Sequence, residues 1–169
     1  MCRHDGIEVD ELEHPIRIHE RRIVADTEGP GEFRGAPGVR VEFGPIDGCR
    51  MKVHYTADGM VNVAQGARGG LPGGPVQAFR RKADGRLEPQ PACAGVELQP
   101  GQNIVSVSSG GGGYGAPWKR DPQRVAHDVR EGWVSRERAR EVYGVALDEA
   151  GAVAEDATRA LRARLAEAR

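Results

Sequence analysis

The chain has little with which to build an ordinary core. Only 5% of its 169 residues are aromatic and hydrophobic residues total 38%, against 24 glycines and 11 prolines. That composition works against a large core and points to many turns around a thin one, as in a loop-rich β domain. A chain of this length buries roughly 70% of the surface its unfolded form exposes. A thin core therefore also suggests burial against a partner. No apolar run approaches the ~20 residues of a membrane span. The N-terminus Met1-Cys2-Arg3-His4-Asp5 has no apolar stretch behind it of the kind a secretory signal needs. A soluble cytoplasmic protein without membrane contact is the expectation.

Cysteine is scarce as well. Cys2, Cys49 and Cys93 are widely spaced, odd in number and form no CxxC pair. Neither a disulfide framework nor a zinc ribbon is expected from that spacing. Charge of one sign is also missing: 24 Lys and Arg balance 25 Asp and Glu. No nucleic-acid partner is expected from such a balance.

What is present is alternation. Ile16, Ile18, Ile23 and Val24 alternate with charged residues and read as a half-exposed strand, interrupted near Glu20-Arg21-Arg22. Val39, Val41 and Phe43 give the clearest strand. After the turn Pro45–Gly48, the residues Cys49, Met51, Val53 and Tyr55 give another, and the two read together as an antiparallel hairpin. Short apolar pieces follow at Met60–Ala64, Val76–Arg81, Val96–Leu98 and Asn103–Ser108, with a glycine-rich loop at Gly66–Gly74. About seven short strands separated by turns predict an antiparallel sandwich or barrel-like body.

The C-terminal part is helical. Asp121-Pro122 is a cap followed by proline at the first helical position, with Val125 and Val129 on one face up to Glu131. Gly132 ends that helix, Ser135 caps the next, and Tyr143-Gly144 ends it. A third helix over 154–169 carries only a narrow stripe at Leu161 and Leu165, suited to resting lightly on the body or docking on another chain. The fold class is thus α+β. Its predicted organisation is a polar N-terminal segment 1–14, a β-rich body 15–109, a glycine-rich connector 110–118 and a helical tail 119–169.

The connector is the most distinctive feature. Gly110-Gly111-Gly112-Gly113-Tyr114-Gly115 cannot stabilise a helix or strand, because each glycine loses entropy on ordering and packs no side chain. It suits a place where backbone passes close to other backbone, a corner or a ligand. A phosphate loop of the Walker type needs a GK[ST] ending, and Ala116-Pro117 stands there instead. A dinucleotide turn needs its helix directly after the loop, and Pro117–Arg120 intervene. A stand-alone module holding a small anion or nucleotide on this run remains the alternative reading.

Other chemistry has less support. Cys2 with His4 and Cys49 with His54 are close pairs but not full ligand sets. His54 falls on the polar face of its strand, and His14, His19 and His127 lie among charged residues. No GxSxG elbow occurs, and Cys49 reads as a buried, inert thiol. The paired helices 122–131 and 136–142 have helix-turn-helix spacing. Asp121, Asp128, Glu131, Glu137 and Glu141 offset their arginines, which argues against DNA binding.

Several separate motifs carry a resemblance. They are the run Gly110–Gly115 with Pro117, Arg120-Asp121-Pro122, Val125, Asp128-Val129, Gly132, Val134-Ser135, Ala139 and Tyr143-Gly144-Val145. Glu11-Leu12-Glu13-His14-Pro15-Ile16-Arg17, Gly31-Glu32-Phe33-Arg34-Gly35-Ala36-Pro37-Gly38-Val39 and Pro100-Gly101-Gln102 add to them. Together these resemble the carboxy-terminal module of the hydantoinase B/oxoprolinase family. Two positions depart from it: Ala116 stands where the family usually has Asp, and Gly66–Gly74 matches its glycine-rich loop only loosely.

The resemblance implies ATP-dependent opening of cyclic amides such as hydantoins and oxoproline, or ATP-dependent carboxylation of ketones, with activation by phosphorylation of a carbonyl oxygen. It implies a hydantoinase A-like partner and a B-like large subunit. ATP and a divalent metal are expected in those partner subunits and not in this chain. The family's upstream catalytic half is absent, and Met1 at the start of the module suggests a separate short gene product. The expectation is a non-catalytic accessory subunit, without catalytic, cofactor or metal residues of its own. Its family-motif and interface residues would be Phe33, Arg34, Gly35, Gly110, Gly111, Gly112, Gly113, Tyr114, Gly115, Arg120, Asp121 and Tyr143.

Overall fold

A computed structural model describes residues 6–167. The chain divides into two units that interleave along the sequence. One comprises Met1–Arg22, Val39–Met60 and Val76–Ser108, and the other Ile23–Gly38, Val61–Pro75 and Ser109–Arg169.

The first unit is built on alternation. A short helix, α1 (Ile7–Glu13), precedes seven strands: β1 (Ile16–Ile23), β2 (Val39–Pro45), β3 (Met51–Thr56), β4 (Gln77–Arg81), β5 (Leu87–Pro89), β6 (Cys93–Leu98) and β7 (Asn103–Val107). Helix α1 is absent from the sequence reading of this polar segment. It is tied to β1 by Glu11, which accepts from the Ile18 N–H at 2.8 Å, and by an Arg21–Asp10 ion pair at 3.1 Å. β1 runs unbroken through Glu20–Arg22.

A five-stranded sheet has the order β1-β2-β7-β4-β5, and β3 pairs only with β6 in a separate two-stranded sheet. Both sheets are antiparallel in their β2–β7, β7–β4, β4–β5 and β3–β6 pairs, and no closed barrel forms among the described residues. The predicted hairpin between the second and third strands is therefore wrong. Alternation tells which side chains face inward, but not which strand lies alongside. Strand β2 pairs instead with the distant β7, placing Glu42 opposite Val105 and Phe43 opposite Ile104. Met60–Ala64 is not a strand.

Side chains from both sheets meet in one cluster. Val96, Leu98 and Ile104 are buried, with Phe43, Met51, Val53, Tyr55 and Ala94 packed against them. Within the five-stranded sheet, Glu42 is buried yet fully engaged. Arg81 donates to both of its oxygens, at 2.6 and 2.9 Å, and the Asn103 amide donates at 3.0 Å. The Arg81 guanidinium holds the Glu42 carboxyl below the usual range. Cys49 is half-buried rather than buried, and Cys93 is exposed. Cys2 and His4 lie outside the described residues. His54 is exposed, as expected for the polar face.

The second unit contains the helices. A 3-10 turn at Pro117–Lys119 leads into α2 (Pro122–Arg130), α3 (Arg136–Glu141) and α4 (Glu155–Glu167). The Asp121 side chain accepts from the Gln123 N–H at 2.8 Å and Ser135 from the Arg138 N–H at 3.0 Å, satisfying free amides at each helix start. Val125, Val134, Ala139, Tyr143 and Val145 form a buried cluster with Val129, Val142, Leu147 and Val153 around it. α4 closes on Gly144, where an added Cβ would stand 2.9 Å from Leu165 and 3.0 Å from Arg162. Among the described residues no helix is long and apolar enough to cross a membrane.

Candidate functional site

The glycine run lies between two other glycine-rich stretches, 27–38 and 64–74. Its backbone bonds to both. Gly110 N–H donates to Gly74 O at 3.0 Å, Gly111 N–H to Ala36 O at 2.9 Å and Gly113 N–H to Leu71 O at 2.9 Å. Tyr114 exchanges a pair of bonds with Phe33, at 2.9 and 3.0 Å, and Gly115 N–H donates to Ala67 O at 3.0 Å. The spacing leaves no room for side chains. A Cβ on Gly110 would stand 1.7 Å from the Thr27 carbonyl oxygen, one on Gly112 2.0 Å from Gln65 O, and one on Gly113 2.0 Å from Pro30 O. Gly35 sits as tightly, 1.9 Å from Gly111 O. Collagen admits only glycine at its axis for the same steric reason.

This packing bears on the two readings of the run. A phosphate cradle needs several free backbone N–H groups converging on one anion. Here the amides of Gly110, Gly111, Gly113, Tyr114 and Gly115 already have carbonyl partners. No three His, Cys, Asp or Glu side chains among the described residues could hold a metal ion together.

The charged motif residues are consumed internally as well. Arg34 clamps Asp128 with two bonds, Nε to Oδ2 at 2.9 Å and Nη2 to Oδ1 at 3.0 Å. Arg120 donates to the same carboxylate from Nε and Nη2, at 3.2 and 2.9 Å, and from Nη1 to the Glu32 carbonyl at 3.2 Å. Asp128 thus satisfies two cations with a side chain only 3% exposed. Burial works against the Arg34 charge, and the bonds and charge of Asp128 more than offset it, so the guanidinium titrates above its usual range. The Arg34 guanidinium also stacks 5.0 Å over Trp133, whose ring stands at right angles to that of the exposed His127.

Tyr143 is buried beneath the helices and donates from its hydroxyl to Glu28 Oε1 at 3.0 Å. Arg138 donates to the same oxygen at 2.9 Å and to the Glu28 carbonyl at 3.0 Å. Burial pushes the Glu28 carboxyl up, although Arg138 and Tyr143 pull the other way. Burial and the adjacent Glu28 push the Tyr143 phenol up too. These are pins between a loop and the helices. Neither group reaches the surface of the chain.

Phe33, Tyr114 and Arg68 of this body face outward together. Phe33 is 58% exposed and Tyr114 45%, with ring centroids 6.3 Å apart. The exposed Arg68 lies with its guanidinium 5.7 Å from the centre of the Tyr114 ring. Tyr114 is bridged to Phe33 on one side and Ala67 on the other, which brings the three together.

Of the residues singled out by motif, Phe33 and Tyr114 form a surface pair. Gly35 and Gly110–Gly115 form the crowded backbone, Arg34 and Arg120 meet on Asp128, and Asp121 caps α2. Tyr143 stands apart on Glu28. Sequence reading missed Glu28, Arg138, Trp133, Arg68 and the role of Asp128. Asp128 left a signal: it sits three residues after the buried Val125, a charge in the inward phase of an amphipathic helix. Glu28 left none.

Residues 1–117 match the family model described as Hydantoinase B/oxoprolinase. The chain is 36% identical to caprolactamase subunit beta of Pseudomonas jessenii over 93% of its length, which is 28% of that relative. It is 25% identical to the acetone carboxylase alpha subunit of Xanthobacter autotrophicus over 83% of its length, 22% of that relative. The crystal structure of the ATP-dependent caprolactamase from Pseudomonas jessenii superposes with a TM-score of 0.76 at 32% identity, covering 94% of this chain and 28% of that one. The chain spans about a quarter of the length of the relatives it matches. It belongs to the hydantoinase B/oxoprolinase family.

Proposed function

We propose that this member of the hydantoinase B/oxoprolinase family is a non-catalytic part of an ATP-dependent complex that opens cyclic amides or carboxylates ketones. It completes a B-type subunit, and an A-like and a B-like large subunit carry the reaction. The observation behind this reading is the internal use of Arg34, Arg120 and Asp121 and of the Tyr143 hydroxyl. Arg34, Arg120, Asp121 and Tyr143 bond to the chain itself, leaving no activated acid, base or nucleophile among them. ATP and the divalent metal belong, on this reading, to the partner subunits.

Complementation tests it. The Pseudomonas jessenii caprolactamase, with its subunit beta shortened by the matched region, should lose caprolactam-dependent ATP hydrolysis. Supplying this chain in trans should restore a measurable part of it. The chain alone should show none, and ATP, ADP or phosphate should leave its melting temperature unchanged. A ligand at 100 times its Kd would add about 2.7 kcal/mol of stability, so a clear shift would favour the anion-binding alternative instead.

A further inference from the structure

We propose that the face formed by Phe33, Tyr114 and Arg68 is where the remainder of a B-type subunit docks on this chain, an inference that rests on the subunit reading above. Three observations carry it. The first is composition. Two aromatic rings beside an arginine make the residue set that dominates binding energy at protein interfaces, and here both rings lie open to solvent. The second is rigidity. The backbone beneath the rings is held by the reciprocal Phe33–Tyr114 bonds and by glycines packed at contact distance. A face already ordered loses little conformational freedom on binding. Arg68 is held with φ at +50°, in the left-handed region that a non-glycine residue rarely adopts, and this backbone sets its guanidinium beside Tyr114. The third is the length of the relatives. They carry some three quarters of their sequence beyond the part matched here, a body large enough to cover this face.

The chemistry specifies the occupant's contact. An apolar side chain would seat against the two rings, and a carboxylate would meet the Arg68 guanidinium at the rim.

The test co-produces a tagged form of this chain with the shortened Pseudomonas jessenii subunit beta and measures how much of the latter is retained. Wild type should retain it in about equal amounts. The double variant Phe33→Ala/Tyr114→Ala should retain at least about ten-fold less, with an unchanged melting temperature because both side chains are exposed. Should that variant fold poorly, Arg68→Glu, whose side chain is on the surface, must lower retention by itself. Equal retention by wild type and variants overturns the docking face and leaves the subunit reading standing. No retention by wild type overturns both. A wild-type dimer in sedimentation that the double variant abolishes would assign the face to a second copy and overturn the proposal as well.

Discussion

The two units of this chain solve the problem of a thin core in different ways. The sheet unit buries side chains: Val96, Leu98 and Ile104 interdigitate between two antiparallel sheets. The glycine-rich unit has an apolar cluster among its helices, and beside it buries backbone. Three extended stretches lie against one another closely enough that carbonyl oxygens stand where Cβ atoms would be. The helices around it are joined to the loops by charges, Asp128 between two arginines and Glu28 between Arg138 and Tyr143. The contrast shows how a chain with 5% aromatic residues and 24 glycines can still be ordered. Where side chains are few, close backbone contact and hydrogen bonds take over. Such a region tolerates substitution far less than an apolar core, because a crowded carbonyl cannot repack.

The largest effect should come from the backbone side of that comparison. Gly110→Ala puts a methyl 1.7 Å from the Thr27 oxygen, and we expect it to cost about 4 kcal/mol or more, enough to prevent folding of this unit. Tryptophan fluorescence reads it directly, since Trp118 and Trp133 both lie there. Gly85→Ala, in a turn of the sheet unit with nothing within 4 Å but φ at +85°, should cost only about 1–2 kcal/mol of backbone strain. Equal losses at the two positions would erase the distinction drawn here.

Next comes the charge lock. Asp128→Ala leaves Arg34 and Arg120 buried without their carboxylate, and breaking such an arrangement costs about 3–5 kcal/mol. The emission of Trp133 should shift as Arg34 leaves its face. A loss below 1 kcal/mol would mean that water screens this site. In the sheet unit, Leu98→Ala removes a fully buried side chain and should cost about 2–4 kcal/mol by cavity formation, followed by circular dichroism during urea unfolding.

The smallest effect separates the units by pH. Glu28 is raised above its ordinary value of 4.5, first of all by burial. Its contribution is therefore fully present below that value and is lost as pH rises through the raised native value. Glu42 is lowered from 4.5, chiefly by its bond to Arg81. Its contribution is present above 4.5 and is lost as pH falls through the lowered native value. Melting temperatures measured across pH should show Glu28→Gln removing a decline on the alkaline side and Glu42→Gln removing one on the acid side. Profiles that both variants leave unchanged would show that neither carboxylate is linked to folding.

Much of the local structure is legible from residue order. Asp121-Pro122 and Ser135 place the starts of α2 and α3, because capping and proline act within a few residues. Alternation places β2, β3 and β7 for the same reason. The pairing of β2 with β7, and not with β3, depends on contacts distant in sequence that no local pattern encodes. The candidate site divides in the same way. The glycines announce a close approach of backbone, and the family motifs point to Arg34, Arg120 and Tyr143. Their pairings emerge only in three dimensions: Asp128 stands in the motif and in the inward phase of its helix, but which cations it meets is not written there, and nothing in the sequence distinguishes Glu28 from an acid facing water.

By itself, then, the sequence determined the family, through its motifs, and also the α+β composition, the positions of most strands and of the helices α2 to α4, and the need for crowded backbone at Gly110–Gly115. The structural readings follow from propensity, periodicity and steric exclusion, all of which act over a few residues. Tertiary structure alone decided which stretches crowd against that run and which charges face one another. It also left Phe33, Tyr114 and Arg68 as a shared outward face. Those outcomes depend on long-range packing, where desolvation and close contact select one arrangement among many that the same local signals allow.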